Sequence, residues 1–319
     1  MAKIKYVLVF AAIGILAAAV MLLYPELVMK PGENEDGIKY LIGVSQPELT
    51  SPWRLAMNEQ IRREAGKYPE MKVIFYDAGE DDIKQKQDIE NMLEQKIDLL
   101  IVSPNNSRYL EDVIGGVHRS GIPVIVMETP PETEDYTMYI FCDNYKIGKS
   151  AGEYVCKMLG DKGGTVLEVL GDPDSFISIE RKRGFREALK ENPAVRPEYV
   201  VVGHWSRDKT EERVAEIYKK HPAVDVVFAH NDAMAIGTWR VAAYEKLNIR
   251  AIGVGGLGDK NAGLEAVNNG VLEATFIYPT GGREAVDWAF RILSGESVPK
   301  KLELPAVKVT KENVGQFIK

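Results

Sequence analysis

A short polar segment, His230-Asn231-Asp232, follows the apolar run Val226–Ala229 and precedes a helical pattern. The run is typical of a buried parallel strand, and open α/β sheets bind ligands at the carboxyl ends of such strands. The side-chain amide of Asn231 can donate and accept hydrogen bonds at once, which suits a ligand rich in hydroxyl groups. An asparagine here can equally cap the following helix. The segment therefore predicts either a ligand contact or a helix cap at Asn231.

Strands and helices alternate along the rest of the chain, which is typical of parallel sheets. Roughly 280 residues follow the amino-terminal segment, whereas a single domain usually holds about 150. We therefore predict an α/β protein with two doubly wound parallel sheets in two lobes. The predicted strands are residues 40–44, 73–76, 99–102, 124–127 and 138–141 in the first sheet, and 165–170, 199–202, 226–228, 251–254 and 274–277 in the second.

A chain that forms two such lobes must cross between them. The predicted crossings, which would form the hinge, are Asp143-Asn144, Tyr278-Pro279 and Val298-Pro299. On this basis the amino-terminal lobe comprises residues 38–143 and 279–298. The carboxy-terminal lobe then comprises residues 144–278 and 299–319.

The first 29 residues have the pattern of a membrane segment. Lys3 and Lys5 precede twenty uncharged residues, 6–25, and a helix of that length spans a hydrocarbon core of ~30 Å. Positive charges at the amino end favour a cytoplasmic amino terminus, so the remainder is expected outside the membrane. The small residues Ala17-Ala18-Ala19 leave a cleaved signal peptide as the alternative. We predict a signal anchor or signal peptide over residues 1–29, a linker over 30–37 and an extracytoplasmic body.

The net charge of the chain is −7. Residues 1–30 contribute +2, so the exported part carries −9. Such an acidic body does not favour nucleic acid as a partner, because phosphate backbones bind basic surfaces.

Two glycine-containing segments resemble nucleotide loops only in part. Gly253-Val-Gly-Gly-Leu-Gly258 fits the pattern G-x-G-x-x-G, but Glu273 opens the next strand, whereas a ribose-binding acid should close it. Gly148-Lys149-Ser150 lacks the earlier glycine of a phosphate loop. The sequence contains no nucleophile elbow, and its four histidines do not have the spacing of metal ligands. We therefore predict a protein that is not an enzyme and holds no cofactor or metal.

Several further motifs occur in the order and at the intervals of a known family. They are Ser51-Pro-Trp-Arg54, Asp77…Asp82…Gln85…Asp88-Ile89, Val102-Ser-Pro104, Gly121-Ile-Pro-Val124, Ile179-Glu-Arg-Lys-Arg-Gly-Phe185 and Phe228-Ala-His-Asn-Asp232. With them, residues 38–310 resemble the type 1 periplasmic binding proteins, in particular the ribose- and galactofuranose-binding receptors of ABC sugar importers. The resemblance implies two lobes, joined by a hinge of two or three crossings, that close around a small sugar.

The resemblance also implies a set of ligand contacts. Trp53 of the first lobe and Trp205 of the second would stack on the two faces of a sugar ring. Arg54 and Arg181 would form hydrogen-bonded forks to adjacent hydroxyl groups. The implied contacts are Ser51, Trp53, Arg54, Asp81, Glu128, Arg181, Trp205, Asn231, Gly255 and Tyr278.

Three of these positions depart from the family pattern. Glu128-Thr129 stands where the sugar receptors usually have Asp-Arg, Gly255 or Gly256 where they have an aspartate, and Tyr278 where they have a glutamine or similar group. The first-lobe carboxylate is therefore kept, whereas one arginine and a second acid are lost. The ligand need not be ribose or galactofuranose.

Several of these residues also have a purely structural interpretation. Tryptophans commonly pack in cores, although Trp53 and Trp205 both lie in polar loop segments. Arg54 can be a solvated arginine at a helix start, and Arg181 can belong to a basic helix face. Asp81 can cap a helix.

Two functions are compatible with the resemblance. The first is a receptor that delivers a sugar to an ABC permease, and the second is an anchored receptor that signals to a membrane sensor kinase. The segment Ala274-Thr-Phe-Ile-Tyr-Pro-Thr-Gly-Gly282 resembles the crossing of sugar-sensing members, and no cysteine for lipid attachment lies near the apolar segment; both favour the second function. A repressor of the same fold would need amino-terminal DNA-binding helices, and an apolar segment occupies that place.

Overall fold

The computed structural model describes residues 37–221, 223–257 and 262–318. Within these ranges the chain forms two six-stranded sheets with helices packed against them. The membrane segment that the sequence predicts over residues 6–25 lies outside the described residues. None of the helices in the described ranges is long and apolar enough to cross a membrane.

The amino-terminal lobe contains a sheet in which all neighbouring strands are parallel. Its elements are β1 (Tyr40–Gln46), α1 (Pro52–Ala65), β2 (Met71–Asp77), α2 (Asp82–Glu94), β3 (Leu99–Val102), α3 (Ser107–Arg119), β4 (Val124–Met127), β5 (Met138–Phe141), α9 (Gly282–Leu293) and β11 (Lys301–Glu303). The strand order is β11-β5-β4-β3-β1-β2. The apolar strands β3 and β4 are buried throughout, because core clusters lie on both faces of the sheet.

The carboxy-terminal lobe repeats this arrangement with one antiparallel edge strand. Its elements are α4 (Asn144–Leu159), β6 (Gly164–Leu170), α5 (Phe176–Leu189), β7 (Val195–Val202), α6 (Arg207–Lys220), β8 (Val226–Ala229), α7 (Asp232–Tyr244), β9 (Arg250–Gly255), α8 (Gly263–Asn268), β10 (Ala274–Ile277) and β12 (Val307–Thr310). The strand order is β12-β10-β9-β8-β6-β7, and β12 runs antiparallel to β10.

The two lobes and all ten predicted strands are confirmed, as β1 to β10. Strands β11 and β12 were not predicted, because both are short. The first and last side chains of β11 are exposed, as are the first two of β12. Both are edge strands, and edges tolerate lysines and polar residues that central strands exclude.

The third crossing between the lobes differs from the predicted one. Strand β11 pairs with β5, and the Leu304 backbone N–H donates to the Phe141 carbonyl at 2.7 Å, so residues 301–304 belong to the first lobe. The chain then reaches β12 in the second lobe at Val307. The predicted crossing at Val298-Pro299 is therefore wrong by several residues, because Leu302 and Leu304 pack against the first core and extend that lobe.

Polar caps fix where the helices begin beside the carboxyl ends of the strands. The side chains of seven residues accept hydrogen bonds from backbone N–H groups in the first turn of the helix that each precedes. These residues are Ser51, Asp81, Asn106, Asp143, Ser175, Ser206 and Asn231. Each cap satisfies an N–H group that has no partner within its helix, so the loops that carry the predicted contacts are held close to the sheets.

Candidate ligand-binding cleft

The first lobe contributes a charged pair to the cleft. Arg54, in the first turn of α1, forms an ion pair with Glu128, the residue that follows β4. The same guanidinium lies 3.4 Å from Oε1 of Gln46, at the end of β1. Glu128 is 6% exposed and has a positive φ of 63°, while Tyr139 donates to its backbone carbonyl at 2.8 Å. Arg54 and Glu128, both predicted as contacts, are therefore brought together in one buried group.

Trp53 connects the first lobe to the second crossing. Its ring packs on that of Tyr278 with 5.3 Å between centroids, and its Nε1–H donates to the Tyr278 carbonyl at 3.1 Å. The indole also contacts the apolar cores of both lobes. Trp53 thus lies at the junction of the lobes, against the hinge.

Arg181, on α5, is the corresponding cation of the second lobe. Its side chain donates to Oδ1 of Asn144 at 2.9 Å and to the His230 carbonyl, and it is 3% exposed. The guanidinium carbon lies 4.8 Å from the Tyr278 ring centre and 6.0 Å from that of Trp205. No carboxylate within the described ranges comes within ion-pair distance of Arg181. Burial lowers the pKa of this guanidinium.

Tyr278 occupies the centre of this arrangement. Its hydroxyl lies 3.4 Å from Nδ2 of Asn144, at the first crossing, and only 6% of the residue is exposed. Burial raises the pKa of the phenol, so the ring is neutral at physiological pH. Tyr278 therefore joins the two crossings and lies between Trp53 and Arg181.

Asn231 acts as a helix cap in this structure. Its Oδ1 accepts from the Met234 backbone N–H at 2.8 Å, and its Nδ2 donates to the Trp205 carbonyl at 2.9 Å. The amide has a second N–H, so capping and ligand contact are compatible. Its role as a ligand contact stays a prediction.

The glycine-rich segment after β9 surrounds a carboxylate. Asp232 accepts hydrogen bonds from the Thr275 hydroxyl and the Gly256 backbone N–H, both at 2.6 Å. A Cβ atom at Gly253 or Gly255 would collide with this side chain, and Gly255 has a φ of 146°. Burial raises the pKa of Asp232 to about 6. The glycines therefore make room for a buried acid, which explains the motif without a nucleotide.

Two predicted contacts have local structural roles. Ser51 caps α1, and its hydroxyl donates to Glu48. Asp81 caps α2 through bonds of 2.8 and 3.0 Å to Ile83 and Lys84, and it is exposed. The predicted sandwich of Trp53 and Trp205 also differs from the observed contacts, since Trp53 packs on Tyr278 and Trp205 lies beside Arg181. Their joint contact with a sugar stays a prediction.

Sequence reasoning missed several polar groups beside the cleft. Gln46 and Asn58 form a buried hydrogen bond behind Arg54, and His204 pairs with Asp172 beside Trp205. Asn144 was predicted only as a hinge residue, although it bonds Arg181. Within the described ranges there is no cluster of three potential metal ligands. A polar residue at the end of an apolar strand, such as Gln46, is the sequence pattern that could have revealed these polar groups.

Comparisons with known proteins identify the family to which this fold belongs. The family profile of the periplasmic binding protein domain matches residues 42–297. The ribose import binding protein RbsB of Bacillus subtilis is 28% identical over 303 residues, which cover 94% of this chain and 97% of that protein. The galactofuranose-binding protein YtfQ of Escherichia coli is 27% identical over 202 residues, 61% of this chain and 63% of its own length.

Among solved structures, a fructose-binding periplasmic domain of a hybrid two-component system superposes with a TM-score of 0.82 and 33% identity. That match covers 87% of this chain and 93% of the other. The match to the family profile extends from β1 past α9 and so includes the strands of both sheets that carry the cleft residues. The chain belongs to the periplasmic binding protein family, with the two-lobed fold of its type 1 members.

Proposed function

We propose that this protein is an extracytoplasmic receptor that closes its two lobes around a small sugar and presents it to an ABC importer. One observation carries the proposal: aromatic rings of both lobes and the buried guanidinium of Arg181 meet where the chain crosses between the lobes. There, Trp53, Tyr278, Arg181 and Trp205 form a continuous series of contacts. A sugar has apolar C–H faces and a rim of hydroxyl groups. Aromatic platforms beside guanidinium forks match both.

The arrangement also supports a closing mechanism. Arg54 and Glu128 belong to the first lobe, and Arg181 and Asn231 to the second. A ligand that forms hydrogen bonds to residues of both lobes interacts more favourably with the closed form than with the open one. It therefore shifts the equilibrium between the open and closed forms towards closure. The ribose, galactofuranose and fructose named for the relatives are accordingly the sugars to test first.

Calorimetry tests this function directly. The full-length chain is titrated with D-ribose, D-fructose, a methyl galactofuranoside and myo-inositol, and the radius of gyration is measured by small-angle scattering with and without each. We expect one of them to bind and to reduce the radius of gyration. The proposal is overturned if none binds, or if binding leaves the radius unchanged.

A second candidate is a sensor subunit that passes the same closure to a histidine kinase. It is favoured by the 33% identical domain, which belongs to a hybrid two-component system. The two candidates predict different responses in reconstituted membranes. Stimulation of a cognate ABC ATPase by the sugar-loaded protein supports the importer, and altered autophosphorylation of a cognate kinase supports the sensor.

The uncharged residues 6–25 support retention of the amino-terminal segment as an anchor. We expect membrane fractions of the native host to contain a chain that begins at or near Met1. A form found only in the soluble fraction, beginning near Val20, would exclude the anchor and weaken the sensor candidate with it.

A further inference from the structure

The loop between β7 and α6 has an unusual backbone. His204 and Trp205 have φ values of 49° and 58°, in the left-handed region that side chains other than glycine seldom adopt. Among the described residues they are the only two consecutive non-glycine residues in that region. Such conformations persist where surrounding contacts impose them, and they concentrate at functional sites.

Contacts from two neighbouring loops impose this conformation. Nδ1 of His204 lies 2.5 Å from Oδ1 of Asp172, in the loop after β6. In addition, Asn231, which follows β8, donates to the Trp205 carbonyl at 2.9 Å. Strand β7 is the edge strand beside β6, and β8 lies on the far side of β6, so these bonds fasten the loop to the loops of the two nearest strands.

The Trp205 ring itself lies against a glycine. A Cβ atom at Gly171 would collide with the six-membered ring of the indole. The indole therefore packs directly against the backbone of Gly171, which precedes Asp172. The indole also packs against the core of the second lobe, and the guanidinium carbon of Arg181 lies 6.0 Å from the ring centre. Rotation of the loop would move the indole away from Arg181 and out of the cleft.

We propose that Asp172 and His204 are positioning residues for ligand binding, which hold the indole of Trp205 as the platform of the second lobe. This inference rests on the proposed function, because it assigns Trp205 to the sugar site. The pair is not a major source of stability. The side chains of His204 and Asp172 are 35% and 44% exposed, and exposed pairs contribute little to the free energy of unfolding.

The test uses three variants of the pair and one matched control, all in the full-length chain. Asp172→Ala removes the pair, and His204→Gly removes it while accepting the left-handed backbone. His204→Asn retains a side-chain donor and also tolerates that backbone, so it should rescue. Glu198→Gln is the control, since it breaks the exposed Arg196–Glu198 pair of 2.7 Å on β7 of the same lobe.

Two readouts separate positioning from general stability. In protein labelled with 5-fluorotryptophan, each of the four tryptophans gives a fluorine resonance, and Trp205→Phe identifies that of Trp205. We expect Asp172→Ala and His204→Gly to shift and broaden the Trp205 resonance and to lower affinity for the sugar that binds in the calorimetric panel roughly tenfold. The melting temperatures of these two variants should stay close to that of the wild type. His204→Asn and Glu198→Gln should match the wild type in both the Trp205 resonance and the sugar affinity.

The outcomes distinguish the two proposals. An unchanged Trp205 resonance and unchanged affinity in Asp172→Ala would overturn the positioning role, as would equal losses in Glu198→Gln. If the wild-type chain binds no sugar of the panel, the proposed function fails. The fluorine resonance of Trp205 then still reports whether the pair holds the indole.

Discussion

In the first lobe, the cleft arginine Arg54 forms an ion pair with Glu128, whereas in the second lobe Arg181 is buried with only neutral acceptors among the described residues. The aromatic residues differ in the same way. Trp53 lies in a regular first helical turn against the hinge, but Trp205 lies in a left-handed loop that its neighbours hold in place. In the first half of the cleft, the charge of Arg54 is therefore balanced by that of Glu128. The second half contains a buried guanidinium with no carboxylate partner among the described residues, so we expect it to gain most when a ligand supplies hydrogen-bond partners.

Replacement of the two arginines tests this contrast most strongly. Arg54→Met leaves Glu128 buried without its cation, which should lower the free energy of unfolding by about 3 kcal/mol. Arg181→Met removes a buried cation that has no carboxylate partner, so the loss of stability should be clearly smaller. Sugar affinity should show the reverse order, with a roughly hundredfold loss in Arg181→Met, since charge-assisted bonds to a ligand are worth about 1.5–3 kcal/mol each.

Chemical denaturation and calorimetry on both variants supply these numbers. Glu198→Gln, which breaks an exposed pair, serves as the baseline for both. If Arg181→Met is destabilised as much as Arg54→Met, Arg181 is a structural residue of the second lobe. The asymmetry between the halves would then be lost.

Replacement of Asn231, in the second half of the cleft, should have a smaller effect on sugar affinity than replacement of Arg181. Asn231→Ser keeps an oxygen that can cap α7 but removes both side-chain N–H groups, one of which donates to the Trp205 carbonyl. We expect affinity to fall by about 1–3 kcal/mol with little change in melting temperature. Asn231→Ala should lose the cap as well, and so lower stability by about 1 kcal/mol. Equal affinities of Asn231→Ser and wild type would leave Asn231 as a cap only.

The sequence predicts strands and the motifs beside them, but it does not predict contacts between loops of different strands. Arg54 and Trp53 belong to a recognisable motif at the start of α1, and ten strands could be placed because apolar runs and turns repeat along the chain. The pairing of Asp172 with His204, and of Asp232 with Gly256, depends on loops that fold onto one another from different strands. Neither spacing nor periodicity reports such contacts. Strand β11 was missed because it is short and mostly exposed, and only its pairing with β5 defines it.

The pH dependence of stability should come from two buried groups in the second lobe. Burial lowers the pKa of His230, so the stability due to its neutral form is lost as the pH falls below about 6.5. Burial raises the pKa of Asp232 to about 6 from 3.8, so its contribution is greatest in acid and is lost as the pH rises through about 6. The neighbouring Glu168 favours a charged His230, and Arg181 opposes it.

Denaturation between pH 4 and pH 8 on two single variants separates these groups. In His230→Gln, stability should fall less than in wild type as the pH drops from 7 to 5. In Asp232→Asn, the loss between pH 4 and pH 7, up to about 3 kcal/mol, should disappear. A wild-type slope that survives in both variants would assign the pH dependence to other groups.

Fluorescence provides the finest comparison between the two aromatic residues. Trp53 already packs on Tyr278, whereas Trp205 is only partly buried beside Arg181, so a sugar should change the surroundings of Trp205 more. We therefore expect Trp205→Phe to abolish most of the sugar-induced change in emission, and Trp53→Phe to reduce it modestly. Trp239 and Trp288 lie within α7 and α9 and serve as controls whose replacement by Phe should leave the change intact. A larger loss in Trp53→Phe than in Trp205→Phe would mean that the first lobe, not the second, supplies the principal platform.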